Sequence, residues 1–192
     1  MSTQKTNMWI GLWLPACLSA CGSGGAAGTE GVYQVETWTD NQNDCAAEGP
    51  SVLTQHNETI FYLELGSLLG TDFLGGTFCA DVAACQALAA EDTYHATLLL
   101  NFNEGNDADG WMCHCFMSGA NVVNGVCNDA NLWETSLDLN PDHSLRIERR
   151  VLSLSGFPAD NGRCTIDGAI QVASSGTCTS REVLNASFLA DL

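Results

Sequence analysis

Alternation of apolar and polar residues at every second position, broken by turn signals, most restricts what this chain can become. Successive side chains of a strand point to opposite faces, so such alternation marks half-buried strands. Val32 to Trp38 puts Tyr33, Val35 and Thr37 on one face, and an Asp/Asn-rich turn, Asp40 to Asp44, follows. Ile60 to Leu65 is apolar on both faces. Thr93 to Phe102 alternates most cleanly, with Tyr94, Ala96, Leu98, Leu100 and Phe102 opposed to Thr93, His95, Thr97 and Asn101. Trp111 to Met117 comes next, then Asn124-Gly125 between two Val-containing pairs, a two-residue hairpin signal. Leu132 to Leu139 and Leu145 to Leu154 form a second hairpin across Asn140-Pro141-Asp142-His143, where proline pre-sets the turn. Glu182 to Ala190 reads as the last strand.

Two stretches are helical by pattern. Asp81 can cap Val82 to Ala90, and Thr165 to Ser175 fits a helix stopped by Gly176, although a strand also fits its apolar spacing. About eight strands in sequence with short turns predict a mainly β domain, a single antiparallel barrel or a sandwich, with one or two short helices. The opening Gly31-Val32-Tyr33, the meander, the late helix and the last strand resemble the lipocalin layout, in which the opening strand carries Gly-x-Trp. That resemblance implies a barrel; the rest of the lipocalin signature is absent.

Ahead of the strands, Lys5 precedes an apolar run, Met8 to Leu18, too short for a permanent membrane span. Leu18-Ser19-Ala20-Cys21 follows and resembles the bacterial lipobox. The resemblance implies cleavage before Cys21, a diacylglyceryl group on its sulfur and an acyl chain on its nitrogen. It also implies a cell-envelope location, with Gly22 pointing to the outer membrane. The expected organisation is a signal peptide over 1–20, a lipidated cysteine and Gly/Ser/Ala tether over 21–31, and one domain over 32–192. Cys45-Ala46-Ala47-Glu48-Gly49-Pro50, Gly105-Asn106-Asp107 with Gly110-Trp111, and Arg146-Ile147-Glu148-Arg149-Arg150 resemble uncharacterised cysteine-rich lipoproteins of myxobacterial type, a likeness that brings no activity with it.

Loss of the signal takes Lys5 and no acid, so the formal charge moves from −17 to −18 and no lysine remains. A field of that sign repels nucleic acid and anionic headgroups, which excludes nucleic acid as the expected partner. Once Cys17 leaves and Cys21 takes the lipid, eight cysteines remain: Cys45, Cys79, Cys85, Cys113, Cys115, Cys127, Cys164 and Cys178. An even count in an exported chain predicts disulfides. Spacing suggests Cys79–Cys85 and Cys164–Cys178 as local pairs. Cys113 and Cys115 share a strand face and are expected to reach different partners, which leaves Cys45 and Cys127.

Few residues form a chemical constellation. Asp107 and Asp109 before Gly110 copy part of a calcium loop, but the alignment puts Gly105 and Phe116 where end ligands belong, so the loop is no EF-hand. Asp107 and Asp109 stand as the calcium candidates, against a plain solvated connection; Asp40, Asn43 and Asp44 form a lesser patch. Cys113-His114-Cys115 with His143 could suggest zinc or copper, but export favours disulfides. No Gly-x-Ser-x-Gly elbow and no His-Glu-x-x-His occurs, and His56, His95, His114 and His143 are scattered, so no enzyme is expected. Arg146, Glu148 and Arg150 share a strand face that suits pairing with Glu134 and Asp138, with anion binding as the alternative. Trp38, Trp111 and Trp133 read as packing unless gathered on one surface. The resulting expectation is a lipid-anchored, non-enzymatic module that takes a small apolar ligand in a lumen lined by Leu98, Leu100 and Phe102. A cell-surface interaction protein with a filled core, cation-bridged through its acidic loops, is the alternative. No cofactor beyond the covalent lipid is expected.

Overall fold

The computed structural model describes residues 28–42, 45–68, 71–91, 100–106 and 109–192. In chain order these form β1 (Gly31–Asn41), β2 (Ile60–Leu68), β3 (Thr71–Cys79), α1 (Val82–Ala89), β4 (Leu100–Phe102), β5 (Glu104–Asn106), β6 (Gly110–Ser118), β7 (Asn121–Val123) and β8 (Val126–Asn128). There follow β9 (Ala130–Leu139), β10 (Leu145–Leu154), β11 (Phe157–Pro158), α2 (Ile166–Val172) and β12 (Thr177–Ala190).

Nine strands make one antiparallel sheet in the order β4-β3-β2-β1-β12-β10-β9-β6-β5, and β11-β8-β7 make a small second sheet. The large sheet curls into a half-barrel and does not close as the lipocalin layout implies. Its end strands are successive pieces of one stretch, and among the described residues β4 pairs with Leu74, Gly75 and Gly76 and β5 with Gly110, Trp111 and Met112. Closure needs one strand laddered along both edges, and among the described residues neither β4 nor β5 is one.

Alternation decides what fills the curl. Tyr33, Phe61, Leu63, Leu74, Phe102 and Leu137 point inward and form one buried cluster. Phe102, expected to line a lumen, is fully buried in that cluster. On β10, Leu145 and Ile147 join the same core, while Arg146 and Glu148 emerge on the opposite face. Further along, Leu132, Leu152 and Leu154 turn their side chains under α2 and Phe157, a second cluster. A third packs α1 over Val32 and Tyr62.

Local chemistry sets the boundaries. Asp81 accepts from the Ala84 N–H at 2.8 Å to start α1, and Thr165 accepts from Gly168 at 3.2 Å to start α2, which settles that stretch as a helix. Asn124 and Gly125 carry φ of 53° and 77°, the left-handed pair that a tight hairpin requires. The β9–β10 hairpin forms at the expected turn. β1 runs on to Asn41, into the expected turn, whose Asn43 and Asp44 lie outside the described residues. The long strand expected from Thr93 is described only over Leu100–Phe102; His95 and Leu98 fall outside the described residues, as does the Leu100 side chain.

Three disulfides are described: Cys45–Cys178, Cys79–Cys85 and Cys127–Cys164. The local Cys79–Cys85 staple is as expected. Cys164–Cys178 is not formed, and Cys45 and Cys127, left as partners for Cys113 and Cys115, are taken by Cys178 and Cys164 instead. α2 and the 3-10 turn Ala173–Ser175 lie between Cys164 and Cys178, and the fold sets Cys164 beside Cys127 of β8 and Cys178 of β12 beside Cys45. Cys113 is also disulfide-bonded, and the Cys115 side chain lies outside the described residues.

Register gives the sheet two ends. Gly31 lies beside Leu63, Val32 beside Ala190, and Leu145 beside both Leu139 and Ala186. Toward the opposite end, Asn41 lies beside Arg181 and Arg181 beside Arg150.

Candidate functional site

The far end holds a cleft of about 600 Å³. Its construction begins on β1, where Trp38 lies beside Leu184 of β12. Two residues earlier on β12, Glu182 stands beside Arg149 of β10. The Trp38 indole N–H donates to Glu182 Oε1, and Arg149 Nη1 lies 3.4 Å from Glu182 Oε2. One carboxylate thus ties together three strands at the wall of the cleft.

The rim comes from the chain after β1, which doubles back along it. Val52 N–H donates to Trp38 O at 2.8 Å and Asp40 N–H to Pro50 O at 3.1 Å. Gly49 makes this approach possible, because a Cβ there would stand 1.9 Å from Asp40 O. The 3-10 turn Leu53–Gln55 then delivers His56 onto Trp38, the rings parallel within 6° and 3.5 Å apart. Trp38 stacks in turn on Phe78 at 5.4 Å, Phe78 meets Phe61 at 5.5 Å, and Phe61 stacks on Tyr33 at 5.5 Å. An aromatic column therefore runs from the core to the solvent and ends in an exposed imidazole. Asn57 and Glu58 complete the rim. Flat π faces below and amide, carboxylate and guanidinium groups around them suit a small molecule with an apolar face and a polar edge.

A second array lies on the outer face of β9, β10 and β12. Arg181 reaches Glu148 at 2.8 Å, Arg146 reaches Glu148 and Glu48 at 3.3 Å each, and Arg150 reaches Glu134 at 2.9 Å. Burial alone would raise the Glu148 pKa; the Arg181 hydrogen bond and the charges of Arg181, Arg146 and Arg150 outweigh it and hold the carboxyl below its ordinary range. The same bond raises the Arg181 pKa. Arg150 meets its expected partner Glu134. Arg146 does not meet Asp138: they are neighbours in register, but the guanidinium turns to Glu48 and Glu148. Arg146 and Arg150, the two arginines expected to share this role, are each matched with an acid, which favours cross-strand structure over anion capture, and Arg149 meets Glu182 within the cleft.

The remaining candidates do not converge. His114 sets Nε2 3.2 Å from Glu134 and Nδ1 3.6 Å from Glu104, so the two acids lie at opposite ring nitrogens and cannot close on one ion. Among the described residues no group of three His, Cys, Asp or Glu is placed to hold a metal. Asp107 lies outside the described residues, and Asp109 stands in the turn before β6. His143 occupies the β9–β10 turn at a φ of 64°, remote from His114 by register. Trp38 and Trp111 are buried, whereas Trp133 is 46% exposed beside Phe116. No described helix is long and apolar enough to cross a membrane.

Trp38, His56 and Arg149 were visible in the sequence only as a packing tryptophan, a scattered histidine and a strand arginine; Glu182 and Phe78 carried no signal. Their sequence separations carry no motif, because strand register and the return of the chain after β1 bring them together.

No family model matches the chain, and no curated protein matches its sequence significantly. Among solved structures it is similar to the monomer form of the M. tuberculosis PknI sensor domain, at 16% identity over 85% of this chain and 88% of that one, with a TM-score of 0.38.

Proposed function

We propose that this chain is a lipid-anchored, extracytoplasmic, non-enzymatic module that binds a small ligand at the far end of its curled sheet. The lipobox-like Leu18 to Cys21 supplies the anchor and the envelope address, and the disulfides suit an oxidising compartment. The observation that carries the binding reading is the aromatic column ending in the Trp38–His56 stack at the floor of the cleft. The expected apolar ligand is accordingly one with a polar edge, held at the mouth and not in a deep lumen. The test is a titration of the mature chain with flat amphipathic molecules, followed by tryptophan emission. A binder should lose about tenfold in affinity with Glu58→Ala or Asn57→Ala, the loss of one hydrogen bond at the rim. Equal affinity in parent and both variants overturns the cleft as the site.

The packed interior, with Tyr33 and Phe102 fully buried, favours a second reading: a cell-surface interaction protein with a filled core. Calcium held by Asp107 and Asp109 would then bridge its acidic loop. Chelator should lower the melting temperature of that protein, and Asp109→Asn should remove the effect.

A further inference from the structure

We infer that the domain rests on the lipid surface through the end of the sheet where the tether enters, which points the cleft away from the membrane. The inference rests on lipidation at Cys21. From Cys21 to Gly28, the first described residue, the chain makes seven steps and spans at most about 25 Å. The entry itself is pinned. Tyr33 donates to Thr29 O at 2.9 Å, Thr29 is fully buried, and Glu30 accepts from the Leu65 N–H at 3.0 Å.

That end carries an apolar surface. Leu65 and Leu189 are each 44% exposed, and Phe188 is 36% exposed. Register places them together: Leu63 faces Gly31 across one ladder, while Ala190 faces Val32 and Phe188 faces Tyr33 across the other. The β2–β3 hairpin also continues past the start of β1, from Leu63 to the Leu68–Thr71 pair. Five residues at about 3.3 Å each carry its tip up to about 17 Å beyond Gly31, on the side from which the tether arrives. Of the residues that the described ladder places on that projection, Leu65 is apolar and exposed, whereas Glu64 and Asp72 carry charge. An exposed apolar edge made by Leu65, Phe188 and Leu189, held by a short leash beside an acyl anchor, fits the interface between headgroups and acyl chains. Glu30, Glu64, Asp72 and Asp191 flank it, so the fitting surface is zwitterionic and not anionic.

The cleft lies at the other end of the same strands. Trp38 and Glu182 lie seven and six residues from Gly31 and Phe188, about 20 Å of strand. Ligand thus reaches the site from the aqueous side.

The experiment uses the lipidated mature chain in phosphatidylcholine vesicles with acyl chains brominated near the headgroup, which quench tryptophan at short range. Intact mass first reports the lipid on Cys21. Leu65→Trp and Leu189→Trp add emission at the tether end, and Val123→Trp, in the β7–β8 hairpin at the far end, is the control. With the parent spectrum subtracted, brominated lipid should cut the added emission about twofold at 65 and 189 and leave it unchanged at 123. Two separate reporters keep the test open should either substitution disturb folding. Lipid on Cys21 with no quenching at 65 and 189, or with equal quenching at all three positions, overturns the inference alone. A Cys21 without lipid overturns the anchoring reading and this inference with it.

Discussion

Replacing both Cys45 and Cys178 by alanine should cost this domain more stability than removing any single ordinary contact. The bridge joins residues 133 apart, and a cross-link stabilises mainly by restricting the unfolded chain. The chain-entropy relation gives about 5 kcal/mol for that loop, against about 4 for the 37-residue separation of Cys127–Cys164 and about 2 for the six of Cys79–Cys85. Cys45 and Cys178 are only half-buried, so a cavity adds little, whereas Cys79 and Cys85 lie in the third core cluster. A loss near 5 kcal/mol is a large share of the 5–15 kcal/mol of a typical domain, and it lowers the melting temperature by roughly 15 °C. Guanidinium melts of parent and Cys45→Ala/Cys178→Ala, followed by far-UV dichroism and tryptophan emission, measure it. Because the effect resides in the unfolded ensemble, the denaturant slope should rise as the midpoint falls. A loss below about 2 kcal/mol with an unchanged slope would refute the reasoning.

Glu148→Gln should flatten the acid limb of stability. Its folded pKa is depressed, so its contribution is complete above the ordinary glutamate range and disappears as pH falls through the lower folded value; melting curves from neutral pH into that range should converge for parent and variant. Tyr62→Phe should raise stability by about 1 kcal/mol, since the fully buried hydroxyl finds no partner among the described residues. Burial, then Glu64 and Glu91, raises the Tyr62 pKa, so parent stability falls as pH climbs above the ordinary tyrosine range and the phenylalanine variant should lack that fall; a destabilised variant contradicts the packing. Gly76→Ala should destabilise by about 3 kcal/mol, because the new Cβ would stand 1.8 Å from Tyr62 O across the β2–β3 ladder; an unchanged thermal midpoint contradicts that register.

Local rules made much of the chain readable. Alternation from Leu145 to Leu154, the Asn124-Gly125 turn and the Asp81 cap each depend on neighbours within a few residues, and all three are present. β3 was missed because Gly75 and Gly76 interrupt its alternation, although the structure pairs them with Glu64 and Leu63. The open curl was illegible because it depends on where the stretch 100–106 divides its hydrogen bonds between two edges. Disulfide partners and the cleft share that character. Cys45 meets Cys178, and Arg149 meets Glu182, only after the strand registers are set. The calcium candidates remain a reading of Asp107 and Asp109 in the sequence alone.

The central claim is that the far-end cleft holds a small ligand, and the most direct measurement is the native intact mass of the mature chain purified from its own envelope without reductant. A ligand in the cleft should appear as an added mass that disappears on denaturation and is absent from the Asn57→Ala/Glu58→Ala double variant purified the same way. A bare oxidised chain, or an adduct equally present in the double variant, would contradict it.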